Sequence, residues 1–561
     1  MAPQIFRTKN LVAFVYKISP FLLIALTVIV VWLPFGLNIN PYAEMWFQRN
    51  EVESFSGIRE SFTRQNDRIF WFWSVALGDW LSPNTYIGHQ IVLVCVYIFR
   101  GVFTYLILQK LFPRHNEWAL VVSLISLFNP ADTSGLFWLG ALHVHAHDAL
   151  FLLPVYLFIQ LWEEATRWKW AILIASLNVV LWSYEGTLLL ILAVPALLFH
   201  LERTWRLSKY AIKMTLLWYI TPILSAFIRL YMFINTVQAH FVRKLDGSLQ
   251  VYVIIDGLIK AIYQMFFVWF GQIKQVNQNN SFLLYGIIIF TFSFWFLWIY
   301  HRNGRNELED HINIYFPFIL GIIVIVLGFL PYAFTELLRY KYARTLIIPW
   351  IGASIIFTAI FWQFSKIEKR GFVNFGLSSL FVALTVVFGL HQHDQIVKIT
   401  QAQNEILVKI IRAIPQIEEG TAISLIYEFD CKDVEENKCQ PPSPTFRFDK
   451  ILTGAIQFIY NDETLKAFVH YHIIDNGTYD RHFTNTNQWP LNKLIIVRYS
   501  PLRDEISVES DFPPGLSKVS DLNYGEYAPA NLYNGDALAP YRACKIFPEL
   551  LADASSCQPA P

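Results

Sequence analysis

The sequence predicts a polytopic α-helical membrane protein of about eleven transmembrane helices, followed by a C-terminal extracytoplasmic α/β domain. Three observations predict this. First, the 561 residues are 55% hydrophobic and 16% charged, against about 25% charge in an ordinary soluble domain. Second, eleven stretches approach the ~20 apolar residues needed to cross a ~30 Å hydrocarbon core. Third, the net charge of +1 conceals two unlike parts: residues 1–391 hold 29 basic and 20 acidic residues, whereas 392–561 hold 15 basic and 23 acidic. This pattern excludes a uniform soluble domain, a disordered chain and a nucleic-acid binder with a basic stripe. We therefore divide the chain into a transmembrane domain over 1–391, with a long outer loop at 37–86, and a soluble domain over 392–561.

The spans are expected near 18–36, 87–109, 116–130, 144–162, 169–184, 186–200, 210–232, 281–300, 312–333, 345–364 and 372–390. The first carries no charge over 21–31 and no small-residue cleavage pattern, so it reads as a retained helix and not a signal peptide. Short loops rich in Lys and Arg mark the cytoplasmic side. An inside N-terminus puts Arg7, Lys9, Lys110, Arg114, Arg167 and Lys169 there, and an odd number of spans puts the tail outside. Residues 250–270 are apolar but contain Asp256 and Lys260. Charges at the bilayer centre are costly, so a surface or re-entrant helix is expected.

In the tail, 397–414 has helical periodicity and Pro415 ends it, while 421–428, 467–474 and 494–499 read as strands. Four of the five cysteines lie there, as two close pairs: Cys431 with Cys439, and Cys544 with Cys557. In an oxidising compartment these read as disulfides; free thiols or zinc are the other readings.

Polar residues in or beside spans call for a reason. Four groups stand out, and all fall on the outer side of this topology. The loop 37–86 carries Glu44, Glu51, Glu53, Asp67 and Arg68. His143, His147 and Asp148 lie at the mouth of the fourth span, with His143 and His147 on one helical face. Glu185 sits in a tight turn between apolar runs, and Arg339 and Arg344 precede the tenth span. For each there is a plainer alternative: a solvated loop, interfacial histidines, a structural ion pair, or headgroup anchoring. Together they supply a carboxylate for an acceptor hydroxyl and cations for a departing phosphate.

Three stretches carry a resemblance: NDRIFWFWSVALGDWLSPNTYIGHQ within 66–112, LFNPADTSGLFWLGALHVHAHDALF within 127–159, and SYEGTLLLILAVP at 183–195. With RYKYARTLIIP at 339–349, the region 15–390 resembles the C-type (GT-C) integral-membrane glycosyltransferases, which use polyprenyl-phosphate sugars. The resemblance implies a hexosyltransferase of the cell envelope that moves a sugar from a lipid-phosphate donor to an outer-face acceptor. By position, Glu44 would match the acidic residue that acts there as catalytic base or metal ligand, although the family more commonly has Asp at that place. Glu51-Val-Glu53 is the nearest paired-acid pattern. Asp148 would join Glu44 in catalysis, and Asp67, Arg68, His143, His147, Glu185, Arg339 and Arg344 would contact substrate. No metal ligands are assigned, and a divalent metal cofactor stays open. The expected partners are membrane lipid, a polyprenyl-phosphate-linked sugar and a membrane or cell-surface protein, with no nucleic acid. A non-catalytic assembly subunit with this fold, or a transporter or flippase of a lipid-linked substrate, are the alternatives.

Overall fold

The computed structural model describes residues 18–41, 45–53, 68–130, 136–202, 208–235, 251–268, 270, 273, 280–304, 315–334, 345–368, 371–429, 449–473, 478–480, 489–501, 503–513 and 526–551. The described chain is mostly helical and separates into two compact units. One comprises 1–36, 61–74 and 91–395; the other comprises 37–60, 75–90 and 396–561. Two stretches of the first long loop thus share a unit with the tail.

The helices are α1 (Ile18–Trp32), α2 (Met45–Glu53), α3 (Trp73–Leu81), α4 (Ile87–Leu111), α5 (Asn116–Ser126), α6 (Leu142–Glu163), α7 (Arg167–Leu181) and α8 (Leu188–Glu202). They continue as α9 (Lys209–Asn235), α10 (Val251–Tyr263), α11 (Asn280–Gly304), α12 (Tyr315–Ala333), α13 (Ile347–Glu368) and α14 (Gly371–Ala413). In the tail are α15 (Asp449–Tyr460) and α16 (Tyr541–Ile546).

Six of these contain segments long and apolar enough to cross a membrane: Ile87–Leu111, Leu139–Glu163, Lys209–Tyr231, Ser281–Tyr300, Tyr315–Ala333 and Val373–Ala413. This is a membrane protein by that measure. Three further expected spans form shorter apolar helices: Ile18–Trp32, Leu188–Glu202 and Ile347–Gln363. The remaining two, near 116–130 and 169–184, are α5 and α7, of 11 and 15 residues. At 1.5 Å per residue, α5 is only about half as long as the hydrocarbon core is thick. Its residues Trp118–Ser126 are all buried in the protein.

A helix that stops within an apolar bundle leaves its last carbonyls without donors. Two arginines inside other helices supply them. Arg100 on α4, 2% exposed, donates to the carbonyls of Ser126 (3.4 Å) and Leu127 at the end of α5, and lies 4.5 Å above the Tyr97 ring. Arg229 on α9 donates to Leu181 O at the end of α7 and lies 5.0 Å above Trp182. A cation at a helix C-terminus also complements its dipole. Both charges in these apolar stretches therefore have a capping function. Elsewhere small residues let backbones touch: a Cβ on Gly321 of α12 would lie 2.8 Å from Gly352 O of α13, and one on Gly352 would lie 2.5 Å from Gly321 O. In α10, Asp256 and Lys260 pair at 2.8 Å across one helical turn, so neither charge is isolated.

The tail holds a five-stranded sheet of order β4-β3-β2-β5-β6. Its strands are β2 (Ala422–Phe429), β3 (Lys466–Ile473), β4 (Thr478–Asp480), β5 (Leu494–Ser500) and β6 (Glu505–Val508). β1 (Gln416–Ile417) pairs separately with β7 (Tyr533–Asn534). β2 is parallel to both β3 and β5, and β4 and β6 close the edges antiparallel. Leu494 to Val497 are continuously buried, as expected for a central parallel strand. Burial also pushes the Tyr527 hydroxyl up to about 12; it donates to Glu509 O (2.9 Å) and accepts the Ile496 N–H (3.0 Å). Exposed Asp504 lies below the usual carboxylate range because Lys409 hydrogen-bonds it.

Within the same unit, α15 packs on α2. A Cβ on Gly454 would lie 2.7 Å from Phe47 N, and Asn50 Nδ2 donates to Gly454 O at 3.2 Å. Arg49 is fully buried beside this contact. It bonds Asp79 at 2.6 Å, donates to the carbonyls of Pro83 and Thr85, and lies 4.0 Å above the Phe458 ring. A lone arginine thus satisfies most of the turn that follows α3.

Candidate functional site

The first unit gathers several of the predicted polar residues. The turn 183–186 between α7 and α8 carries Tyr184, Glu185 and Gly186. Phe70 N–H donates to Trp182 O (3.0 Å) and Ser183 Oγ to Val179 O (2.5 Å), which fixes this turn beside residues 68–71. Arg68 Nε then donates to Glu185 Oε2 at 2.8 Å, and its Nη2 to Glu185 Oε1. The side chains are only 10% and 15% exposed, so this is a bidentate, largely desolvated ion pair. The same guanidinium lies 4.6 Å above the Tyr184 ring.

Tyr184 connects this pair to α6. Its ring centre is 6.1 Å from His143 and 5.7 Å from His147. His143 also meets Trp71 edge-on at 5.7 Å. His147 is fully buried; its Nε2 lies 3.0 Å from Thr187 Oγ1 and 3.9 Å from Asp148 Oδ1. Asp148 is 2% exposed. Asp148 Oδ1 and His147 Nδ1 find no hydrogen-bond partner among the described residues. Two unsatisfied polar atoms at this depth are costly to the fold. Tyr332 of α12 completes the wall: a Cβ on Gly186 would lie 2.2 Å from its hydroxyl, so a side chain at 186 would have to displace that ring.

About one helical turn from this cluster along α6 begins an apolar cavity of about 170 Å³. Phe151 and Leu152 of α6 line it one turn beyond His147 and Asp148, and Leu190 and Val194 of α8 line it beyond Thr187. Phe316 of α12 and Ile348 of α13 form the facing side. The polar cluster thus lies about one helical turn from an apolar lining to which none of its own residues belongs.

Five of the predicted site residues meet here: Arg68, His143, His147, Asp148 and Glu185. Glu44, Asp67, Arg339 and Arg344 lie outside the described residues, as do Cys431, Cys439 and Cys557. Cys544 lies on α16. Glu51 and Glu53 have their backbone in α2 of the other unit. Sequence reasoning did not single out Thr187 or Tyr332. Thr187 adjoins the Glu185 turn, and that proximity was the available signal; Tyr332 lies in an apolar span, where nothing in its neighbours marked it. No group of three or more His, Cys, Asp or Glu placed to hold a metal occurs among the described residues. Compared with family models and with curated proteins, the chain matches none.

Proposed function

We propose that the protein is a cell-membrane glycosyltransferase that moves a sugar from a polyprenyl-phosphate donor to an acceptor outside the cytoplasm. The observation that carries this reading is the buried His147–Asp148–Thr187 group about one helical turn from an apolar cavity. A lipid-linked sugar is amphipathic in the same sense, with a polar head to be handled and a hydrocarbon chain to be kept from water. In the reaction the acceptor oxygen bonds to the sugar's anomeric carbon, the bond from that carbon to the phosphate oxygen breaks, and the acceptor proton passes to a carboxylate. Glu44 is assigned as that base. His147 and Asp148 orient the acceptor hydroxyl, and Arg339 and Arg344 hold the phosphate as it leaves with the bonding electrons. Radiolabelled transfer from polyprenyl-phosphate sugars in proteoliposomes tests this: Glu44→Ala should lower turnover by about 10²-fold or more without loss of membrane insertion. Wild-type protein that transfers from none of the common polyprenyl-phosphate hexoses would sink the reading.

The closed Arg68–Glu185 pair favours one other reading, a non-catalytic assembly subunit that keeps the fold. That reading predicts a stoichiometric membrane partner on purification and no turnover.

The proposed topology has eleven crossings, a cytoplasmic N-terminus and an extracytoplasmic tail. It also places Cys431–Cys439 and Cys544–Cys557 disulfides in that tail. Peptide mapping of the non-reduced protein should recover these two linked pairs; four free thiols would count against an oxidising location.

A further inference from the structure

Helix α3 has two unlike faces. Its inner face is locked in place. Gly78 packs against the first turn of α4, where a Cβ would lie 2.5 Å from the His89 ring, and Gly78 O would be 2.1 Å from a Cβ on Gly88. Two backbones are therefore in direct contact at this point. Asp79 is held by the buried Arg49 at 2.6 Å, and Val75 is fully buried. The outer face carries Leu77, Trp80 and Leu81, at i, i+3 and i+4, which are 40%, 77% and 45% exposed.

The position of this face identifies what covers it. The turn of α4 that holds Gly78 is the first turn of Ile87–Leu111, a segment of 25 residues long enough to cross the bilayer. A span of that length ends at the membrane–water boundary. α3 is therefore packed at the level where tryptophan is enriched, with its ring in the acyl boundary and its N–H toward the headgroups. A water-exposed Trp flanked by two Leu would be an unfavourable surface, whereas lipid covers it without a protein partner.

We infer that the outer face of α3 is a lipid-contact surface, seated in the headgroup–acyl boundary through Leu77, Trp80 and Leu81. The Asp79–Arg49 bond keeps that face turned outward, so the ion pair and the lipid contact fix the rotation of one short helix from opposite sides. The inference does not depend on what reaction the protein carries out.

The full chain can be reconstituted in vesicles of phosphatidylcholine and phosphatidylglycerol doped with a phosphatidylcholine that carries a photoactivatable diazirine near its headgroup. After illumination, adducts are mapped by mass spectrometry, and water accessibility is mapped in parallel with hydroxyl radicals. The expected result is lipid adducts on the peptide containing 77–81. Leu284 and Ile287, exposed on the Ser281–Tyr300 span, are probed in the same vesicles with a diazirine placed in the acyl chain and serve as the lipid-facing control. Trp80→Glu should reduce the adduct yield at least about fivefold and Trp80→Phe should largely retain it, because a charge is expelled from the boundary and an aromatic ring is not. Trp80 contributes little to packing, so both variants should keep the wild-type melting temperature. Two results would overturn the inference. One is strong radical oxidation of 77–81 with no lipid adduct, which means that the face meets water. The other is protection from both reagents while the control peptide is labelled, which means that protein covers it.

Discussion

Replacing Arg68 with alanine should lower the stability of the protein by about 3–5 kcal/mol, because the change leaves the Glu185 carboxylate largely buried and without its counter-ion. The loss should be read as a fall in melting temperature in detergent. A double replacement, Arg68→Met with Glu185→Leu, removes both charges and fills similar volume, so it should recover most of that loss. The pair of measurements also separates two roles. A double variant that is stable and still transfers sugar makes the ion pair a structural brace for the Tyr184 turn. A double variant that is stable yet inactive places Arg68 or Glu185 in contact with substrate. A single Arg68→Ala variant as stable as wild type would show that water reaches Glu185.

Replacing Asp148 with asparagine should have the opposite signature. The carboxyl is 2% exposed in an apolar helix, and its Oδ1 gains no hydrogen bond from the described residues. Removing an ionisable group from such a site relieves the fold of an unfavourable burial, so the melting temperature should hold or rise. If the protein has the proposed function, transfer from the lipid-phosphate donor should fall by about 10²-fold, since an amide does not orient and polarise a hydroxyl as a carboxylate does. A residue that weakens the fold and is needed for activity marks a functional site, where stability and function trade against each other. Unchanged transfer in this variant would remove Asp148 from the mechanism. A large loss of stability would instead make it a structural residue.

His147 gives an internal check on that argument, because among the described residues its Nε2 has a hydrogen-bond partner and Asp148 Oδ1 has none. Its Nε2 meets Thr187 Oγ1 at 3.0 Å, which ties α6 to the start of α8. Its position was legible from the sequence: residues 143 and 147 had to share a helical face once the segment was read as a helix. Its partner was not legible, because Thr187 lies 40 residues away, just before another helix. The same holds for Arg68 and Glu185, which are 117 residues apart. The sequence marked each as an acid or base near the membrane, and chain folding made them one ion pair.

The helices show a similar division. Long apolar runs such as Tyr315–Ala333 announce themselves, because hydropathy and helix length are local properties of the chain. α5 and α7, where spans were also expected, are shorter helices of 11 and 15 residues. Their ends are tolerated because Arg100 and Arg229 reach across from other helices to their last carbonyls. In the sequence those arginines stand only as charges within apolar stretches. In the tail, the β-branched runs located β2, β3 and β5 correctly, whereas α15 was missed. Its glycine is an unfavourable residue in an isolated helix, and it is accommodated because α2 packs directly on it.

Composition and periodicity were enough to establish a helical membrane protein with a mixed α/β tail, because burial preference and backbone propensity act over a few residues at a time. The grouping of Arg68, His143, His147, Asp148, Thr187 and Glu185, close to an apolar cavity, came from the fold. Pairing energies in a low-dielectric interior depend on distances of a few ångströms between residues far apart in the chain, and those distances are set by helix packing.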